Sequence, residues 1–233
     1  MTYSDFELLQ IQTEALYVYD SANRILRVNE PDADGTSVRF FLARSASGNI
    51  WRVRHDLPAD LIAELERLAA SEPVVSELDE PPYHQLVYME LLAAHAPIGE
   101  IYSGPAYYLP QSDTPGHAVL ITDANKSLLQ NNFPYTLDYL QALSPVAAVV
   151  EDGKAVAVCS SVRLTPRAAE AGLYTQEAYR GRGYGVEAAR LWAQSVYATR
   201  RIPLYSTTWE NTASQAVARK LGAVQYGADF SIT

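Results

Sequence analysis

Three glycines at alternate positions, Gly181, Gly183 and Gly185, interleave with Arg182 and Tyr184 and follow Glu177-Ala178-Tyr179-Arg180. Glycines so spaced remove Cβ atoms, letting backbone N–H groups turn toward a ligand and approach it closely. The residues that follow, Val186 to Thr199, read as a helix whose unsatisfied first amides add positive potential at the same place. Converging amides at a helix N-terminus, beside Arg180 and Arg182, form a site for a pyrophosphate. The alternative for this stretch alone is a tight Gly-rich turn at an ordinary strand–helix joint.

The elements that must hold such a loop are legible around it. Val146-Ala147-Ala148-Val149-Val150 and Ala155-Val156-Ala157-Val158-Cys159 flank Asp152-Gly153, a hairpin of nearly continuous apolar strands expected to be buried on both faces. A third strand, Ala169 to Thr175, feeds the glycine loop. Leu204 to Thr208 then reads as a strand parallel to it, completing a strand–helix–strand crossover. Asn211 opens a second helix through Leu221, stopped at Gly222, and Ala223 to Ile232 is a closing strand. Cys159, the one cysteine of the chain, falls in a core strand with no histidine near it in sequence and is read as packing.

The first hundred residues read as a separate module. Two hairpins, Leu16–Tyr19 with Ile25–Val28 and Val38–Ala43 with Ile50–Arg54, are followed by helices from Pro58 to Ala70 and from Pro81-Pro82 to Ala94. Pro97 to Pro115 is expected to join the modules, with Gly104 to Tyr108 inside it either a strand or a loop on the acceptor side. His117 to Thr122 reads as a strand, and Asn125 to Leu143 as helical or irregular pieces broken at Pro134.

The chain has 233 residues and a net charge of −9. Residues 1–150 hold 8 Lys and Arg against 20 Asp and Glu, and residues 151–233 hold 10 against 7, leaving −12 and +3. An acidic chain is a poor match for nucleic acid, where neutralising phosphates dominates affinity. The locally basic C-terminal part suits a small phosphorylated ligand. No apolar run is long enough to span a membrane, and the first residues lack a signal-peptide pattern, so a cytoplasmic location is expected. His55, His84, His95 and His117 have no ligand-like neighbours at metal spacing, so no metal is expected.

Together these residues resemble the GNAT superfamily of CoA-dependent N-acetyltransferases. Arg180, Gly183 and Gly185 fill the family's phosphate loop, Arg or Gln, two residues, Gly, one residue, Gly or Ala. Asn211, Ser214, Lys220 and Gly222 fill its second signal one strand later. A dinucleotide-binding fold would instead need an acidic residue at the end of the next strand and further strand–helix units. The resemblance is specific over about 146–233 and extends from about 103.

It implies an α+β fold, a mixed, splayed sheet flanked by helices over 103–233, preceded by a small α+β module over 1–100 of unknown role. Acetyl-CoA would enter where the strand ending at Thr175 parts from the strand ending at Thr208. Its pantetheine would pair with the backbone of Leu173, Tyr174 and Thr175. Its pyrophosphate would lie on the amides of Arg182, Gly183, Tyr184 and Gly185, with Arg180, Gly181 and Arg182 beside it, and Asn211 and Ser214 would face it from the second helix. The reaction would be direct attack of a neutral primary amine, of a small molecule or a peptide, on the thioester. An N–H near Thr175 or Leu173 would receive the charge developing on the carbonyl oxygen.

The chain departs from the family where many relatives carry a tyrosine that protonates the leaving sulfur: seven residues after Asn211 stands Ala218. Asn211, Ser214 and Ala218 are expected on one helical face, with Ala213, Val217 and Leu221 on the core-facing stripe. The acid is then Ser214, a nearby tyrosine such as Tyr205 or Tyr226, water, or none. The base is Glu170, Glu210 or a water relay. Strand alternation sets Glu170 opposite to Ala169, Leu173 and Thr175, and a solvated carboxylate is too weak a base for an amine unless burial raises its pKa. The missing tyrosine also leaves open a different class of function, a CoA-binding sensor or scaffold without turnover. The first hundred residues are either an acidic steering module for a cationic acceptor or a partner-docking domain.

Overall fold

A computed structural model describes residues 3–33 and 38–233. In chain order its elements are α1 (Asp5–Leu16), β1 (Tyr17–Tyr19), β2 (Ile25–Val28), β3 (Phe40–Ser45), β4 (Gly48–Val53), α2 (Ala59–Ala70), α3 (Gln85–His95), β5 (Ile101–Tyr108), β6 (Val119–Leu120), α4 (Pro134–Asp138), β7 (Val146–Glu151), β8 (Lys154–Leu164), β9 (Ala168–Thr175), α5 (Tyr184–Ala198), β10 (Ile202–Ser206), α6 (Thr212–Lys220) and β11 (Val224–Ile232). The α+β class and the mixed sheet with flanking helices are those expected. Packing divides the chain into two compact units. One comprises Met1–Ala106, Ser206–Asn211 and Gln225–Thr233, the other Tyr107–Tyr205 and Thr212–Val224.

In the first unit the two hairpins form as the turn chemistry predicts, β1 with β2 and β3 with β4, both antiparallel. β11 then pairs antiparallel with β3, so the C-terminal strand completes the sheet of the N-terminal residues. The core gathers Phe40, Leu42, Val53, Leu65, Tyr88, Leu92, Phe230 and Ile232. Chain continuity alone, which placed a boundary near residue 100, does not reveal this strand exchange. β5 lies within the stretch read as a linker. Its Ser103 and Pro105 carbonyls accept from Trp209 N–H at 3.1 Å and Thr207 N–H at 3.3 Å. α1 was not anticipated: Ser4 and Glu7 form a reciprocal capping box at its start, and Leu8, Leu9, Ile11 and Ala15 are buried behind it.

The second unit carries strands in the order β10-β9-β8-β7-β6, with β10 and β9 parallel and the remaining neighbours antiparallel. Its central strands are covered on both faces, as their unbroken apolar sequence requires. One core joins Ala147, Val149, Ala157, Cys159 and Ala169 to Ala188, Ala189, Trp192 and Val196 of α5. The other sets Val146, Ala148, Ala155 and Val158 against Ile121, Leu129, Phe133 and Leu143. Cys159 is fully buried and burial pushes its thiol up, in keeping with a packing role. β6 is shorter than the expected 117–122.

Burial also raises two core phenols from their usual value near 10. Tyr205 is pushed up to about 12, and Tyr88 is raised by burial and then by the Glu72 carboxylate that accepts from its hydroxyl at 3.0 Å. Both stay protonated in the folded chain after the unfolded chain has begun to release those protons. Their contribution is therefore complete below pH 10 and lost as pH rises beyond it. Urea unfolding should show stability lower by about 2 kcal/mol at pH 11 than at pH 9, at roughly 1.4 kcal/mol per unit for each group.

Candidate active site

The glycine loop has the geometry that its spacing implies. α5 begins at Tyr184, two residues earlier than the sequence suggests, with Gly183 as its N-cap at φ 87° and ψ −2°. Gly181 is also left-handed, at φ 77°, and a Cβ added to either glycine would meet nothing within 4 Å. The two positions are thus glycine for backbone conformation, with open space before them where a ligand can stand. Gly185 differs: its Cβ would lie 3.2 Å from Thr175 Oγ1 and 3.5 Å from Leu173 Cδ2, so the first turn of α5 sits directly on the end of β9. Val186 and Glu187 N–H both bond to Gly183 O, leaving the amides that precede them outside the helix ladder.

Two arginines flank the cradle. Arg180 Nε donates to Thr175 O at 3.2 Å and its guanidinium lies 5.9 Å from the Tyr174 ring. Arg182 donates to Ala178 O at 3.3 Å and lies 5.2 Å from the Tyr179 ring. The Tyr184 hydroxyl donates to the Glu151 carboxylate, which ties the loop to the β7–β8 turn and raises the phenol's pKa. Glu187 accepts from His117 N–H at 2.9 Å. Glu151 and Glu187 were not singled out in the sequence, because both act through partners 33 and 70 residues away.

β9 supplies the second half of the site. β10 pairs with it only from Ile202↔Ala168 to Leu204↔Glu170, while β9 continues through Thr175 on its other neighbour, β8. Gln176 N–H bonds to Val156 O, in register with Thr175↔Ala157. Alternation in an antiparallel pair then turns Tyr174 and Gly172 toward β8, and the N–H and C=O of Thr175, Leu173 and Ala171 away from it. The Arg180 contact with Thr175 O agrees. These are the backbone groups that an extended ligand chain can pair with, and they adjoin the glycine cradle through Gly185. Tyr174 itself is 52% exposed.

The candidate catalytic residues are distributed unevenly. Tyr205 and Ser214 come together, hydroxyl to hydroxyl, at 2.6 Å. Glu170 lies opposite Arg163 on β8, where the register shifts at Val162, and it is 1% exposed and so is not a surface residue. Glu210 and Asn211 belong to the other compact unit. Both are exposed, and Asn211 N–H bonds to Thr208 O at 3.2 Å. The face assigned to the second helix needs correction: Ala218 is 1% exposed and packs in the core, Ser214 and Leu221 are half-buried on the same line, and Ala213 is exposed. The apolar count at 213 and 217 misplaced the stripe because the residue that fills the core beside Ala218 is Tyr205, from β10.

A strand that ends in a left-handed glycine cradle at a helix N-terminus, with its own edge bared beside that cradle, leaves open space and backbone groups where a phosphorylated ligand can stand. The family model described as acetyltransferase (GNAT) domain matches residues 102–224, and the chain belongs to that family. It is an acyltransferase, of a family that uses an acetyl-CoA-type cosubstrate and an acceptor. The open cradle and bared strand edge fit such a cosubstrate: Gly181 to Gly185 would hold its pyrophosphate, and Leu173 and Thr175 its pantetheine.

Among solved structures, the chain is similar to a GNAT-family protein from Novosphingobium aromaticivorans DSM 12444, at 17% identity over 58% of this chain and 65% of that one, with a TM-score of 0.44. The chain thus spans just under two thirds of that protein's length. It is also similar to a GNAT-family acetyltransferase from Colwellia psychrerythraea, at 13% identity, 100% and 98% coverage and a TM-score of 0.48. A GCN5-related N-acetyltransferase-like protein from Streptococcus suis 89/1591 is similar at 14% identity, 85% and 86% coverage and a TM-score of 0.48. No curated protein sequence matches the chain. Among the described residues no helix is long and apolar enough to cross a membrane, and no three His, Cys, Asp or Glu side chains gather as a metal-ligand set.

Proposed function

We propose that the protein moves an acetyl group from acetyl-CoA to a primary amine, of a small molecule or a peptide, by direct attack in a ternary complex. The observation that carries this reading is the pairing of the Gly181–Gly185 cradle with the outward N–H groups of Leu173 and Thr175. One binds phosphate, and the other can receive the charge developing on a thioester carbonyl oxygen. Arg180 and Arg182 supply positive charge that is not engaged in an ion pair among the described residues. Ser214 borders the cosubstrate from α6, and Glu170, directly or through water, takes the proton of the incoming ammonium.

Residues 103–233 form the catalytic domain in this reading. The acidic first hundred residues bias the acceptor toward cations, since a field of one sign concentrates the opposite charge. The test is thiol release on mixing the protein with acetyl-CoA and a panel of polyamines, aminoglycosides and amino acids, followed by mass analysis of the acceptor. An acceptor heavier by one acetyl group is the expected result. Tight binding of acetyl-CoA with no transfer across the panel would overturn the reading in favour of a sensor.

A further inference from the structure

β4 is an edge strand, paired along Gly48–Val53 with β3. Its outer side opens into a cavity of about 340 Å³ that is lined entirely from the first compact unit. Residues 49–53 of β4 form the floor. α2 packs on the sheet face of Phe40 and Leu42, and Tyr17, at the end of α1, packs on Phe41 of the opposite face. Glu66 of α2 and Phe6 of α1 therefore line the cavity from its two sides, and Arg24 lines it from the β1–β2 turn.

The floor is made of unpaired main chain. Arg54 N–H bonds to Arg39 O, toward β3, whereas His55 N–H bonds to Ile25 O, on the outer side. Alternation then turns the N–H and C=O groups of Val53, Trp51 and Asn49 outward, into the cavity. Trp51 O already accepts from Arg52 Nη1 at 2.7 Å, so the floor offers more donors than acceptors. Two side-chain atoms of the lining, Arg52 Nε and Asn49 Oδ1, are buried with no hydrogen-bond partner among the described residues. Buried polar atoms left so are uncommon and call for a ligand or a water. The charged lining is two guanidiniums, Arg24 and Arg52, against the single carboxylate of Glu66, which pairs with Arg24.

We propose that this cavity receives the C-terminal residues of an extended peptide, its main chain pairing with the outer edge of β4 and its terminal carboxylate held by Arg52 and Arg24. Asn49 to Val53 spans roughly 13 Å at the rise of a strand, a floor for about four residues. Main-chain pairing along an open edge supplies affinity that tolerates many sequences, as in strand addition. The excess of guanidinium over carboxylate selects an anionic end, and a guanidinium can grip a carboxylate through two parallel bonds. Asn49 Oδ1 accepts an amide N–H of the incoming chain, and Phe6 and Trp51 give its side chains apolar surface. A peptide end suits the floor better than a free amino acid does, because outward groups from three alternate residues exceed what one amino acid can pair with. The proposal is independent of the acetyl-CoA reading.

The test is fluorescence anisotropy of the whole chain with a library of tetrapeptides, each carrying fluorescein at its N-terminus and a free carboxylate at its C-terminus. Members that bind should lose at least about tenfold in affinity when that terminus is amidated, and as much in Arg52→Gln. Glu66→Gln should instead tighten binding about threefold, because it releases Arg24 from its surface ion pair. The opposite signs distinguish loss of a contact from loss of fold. No binding by any member up to about 1 mM would overturn the proposal. Equal binding of acids and amides, affinity that ignores both substitutions, or a free amino acid that competes as well as the peptide would overturn it too.

Discussion

Replacing Gly104 with alanine is expected to unfold the first unit or to lower its stability by about 3 kcal/mol or more, beyond the usual range for an overpacked site. The added Cβ would stand 1.8 Å from Thr207 O and 2.7 Å from both Thr207 C and Thr208 Cα. All three are backbone atoms, and no rotamer change can clear them. Nor can the strands part, because Trp209 N–H on Ser103 O and Thr207 N–H on Pro105 O hold them on either side of the glycine. Gly153→Ala provides the comparison. Unlike Gly104 it sits at positive φ, 73°, and its Cβ would meet nothing within 4 Å, so only the left-handed conformation costs, roughly 1–2 kcal/mol. Urea unfolding of the two variants should separate steric from conformational cost. If Gly104→Ala lost no more than Gly153→Ala, the close approach of β5 to residues 207–208 would be refuted. The approach also bears on function, since the segment it fixes leads directly to Glu210 and Asn211.

What the sequence reveals here is what local chemistry determines. The glycine cradle, the capping Gly222 at φ 67°, both hairpins and the doubly buried β7 and β8 are each set by residues within a few positions of one another. α1 carries a legible start, Ser4 with Glu7, but its buried residues include Gln12 and Thr13 alongside Leu9 and Ile11, which blurs the apolar periodicity. Pairing partners far apart in the chain are not legible. Nothing in Val224–Ile232 says that it will pair with β3, and nothing in Tyr205 says that it will fill the space beside Ala218. Glu170 is 1% exposed, and that burial depends on a second layer of structure that alternation along a strand does not describe. In the candidate site, the cosubstrate half is a contiguous strand–loop–helix and could be read residue by residue. The 2.6 Å contact between Tyr205 of β10 and Ser214 of α6 is instead a property of the fold.

Valine at position 183 is expected to raise the dissociation constant for acetyl-CoA by about two orders of magnitude while leaving the protein folded. A β-branched residue is an outlier at φ 87°, so the loop would shift toward negative φ and turn its amides away from the phosphate position. The stability cost should stay near 1–2 kcal/mol, the penalty for the left-handed conformation, because a Cβ there has open space around it. Loss of two or three amide–phosphate bonds, each charge-assisted, is worth far more to the ligand than to the fold. Arg180→Gln should weaken binding about tenfold and reduce its dependence on salt, since it removes a screened charge and leaves the cradle shape alone. Gly183→Val should weaken binding at every salt concentration alike, because it removes geometry. Calorimetric titration with CoA at low and high salt reads both effects. Equal affinity for wild type and Gly183→Val would place the phosphates elsewhere and detach the bared edge of Leu173 and Thr175 from the role argued for it. A shape-dependent loss from the glycine and a salt-dependent loss from the arginine would instead tie both to one pyrophosphate site.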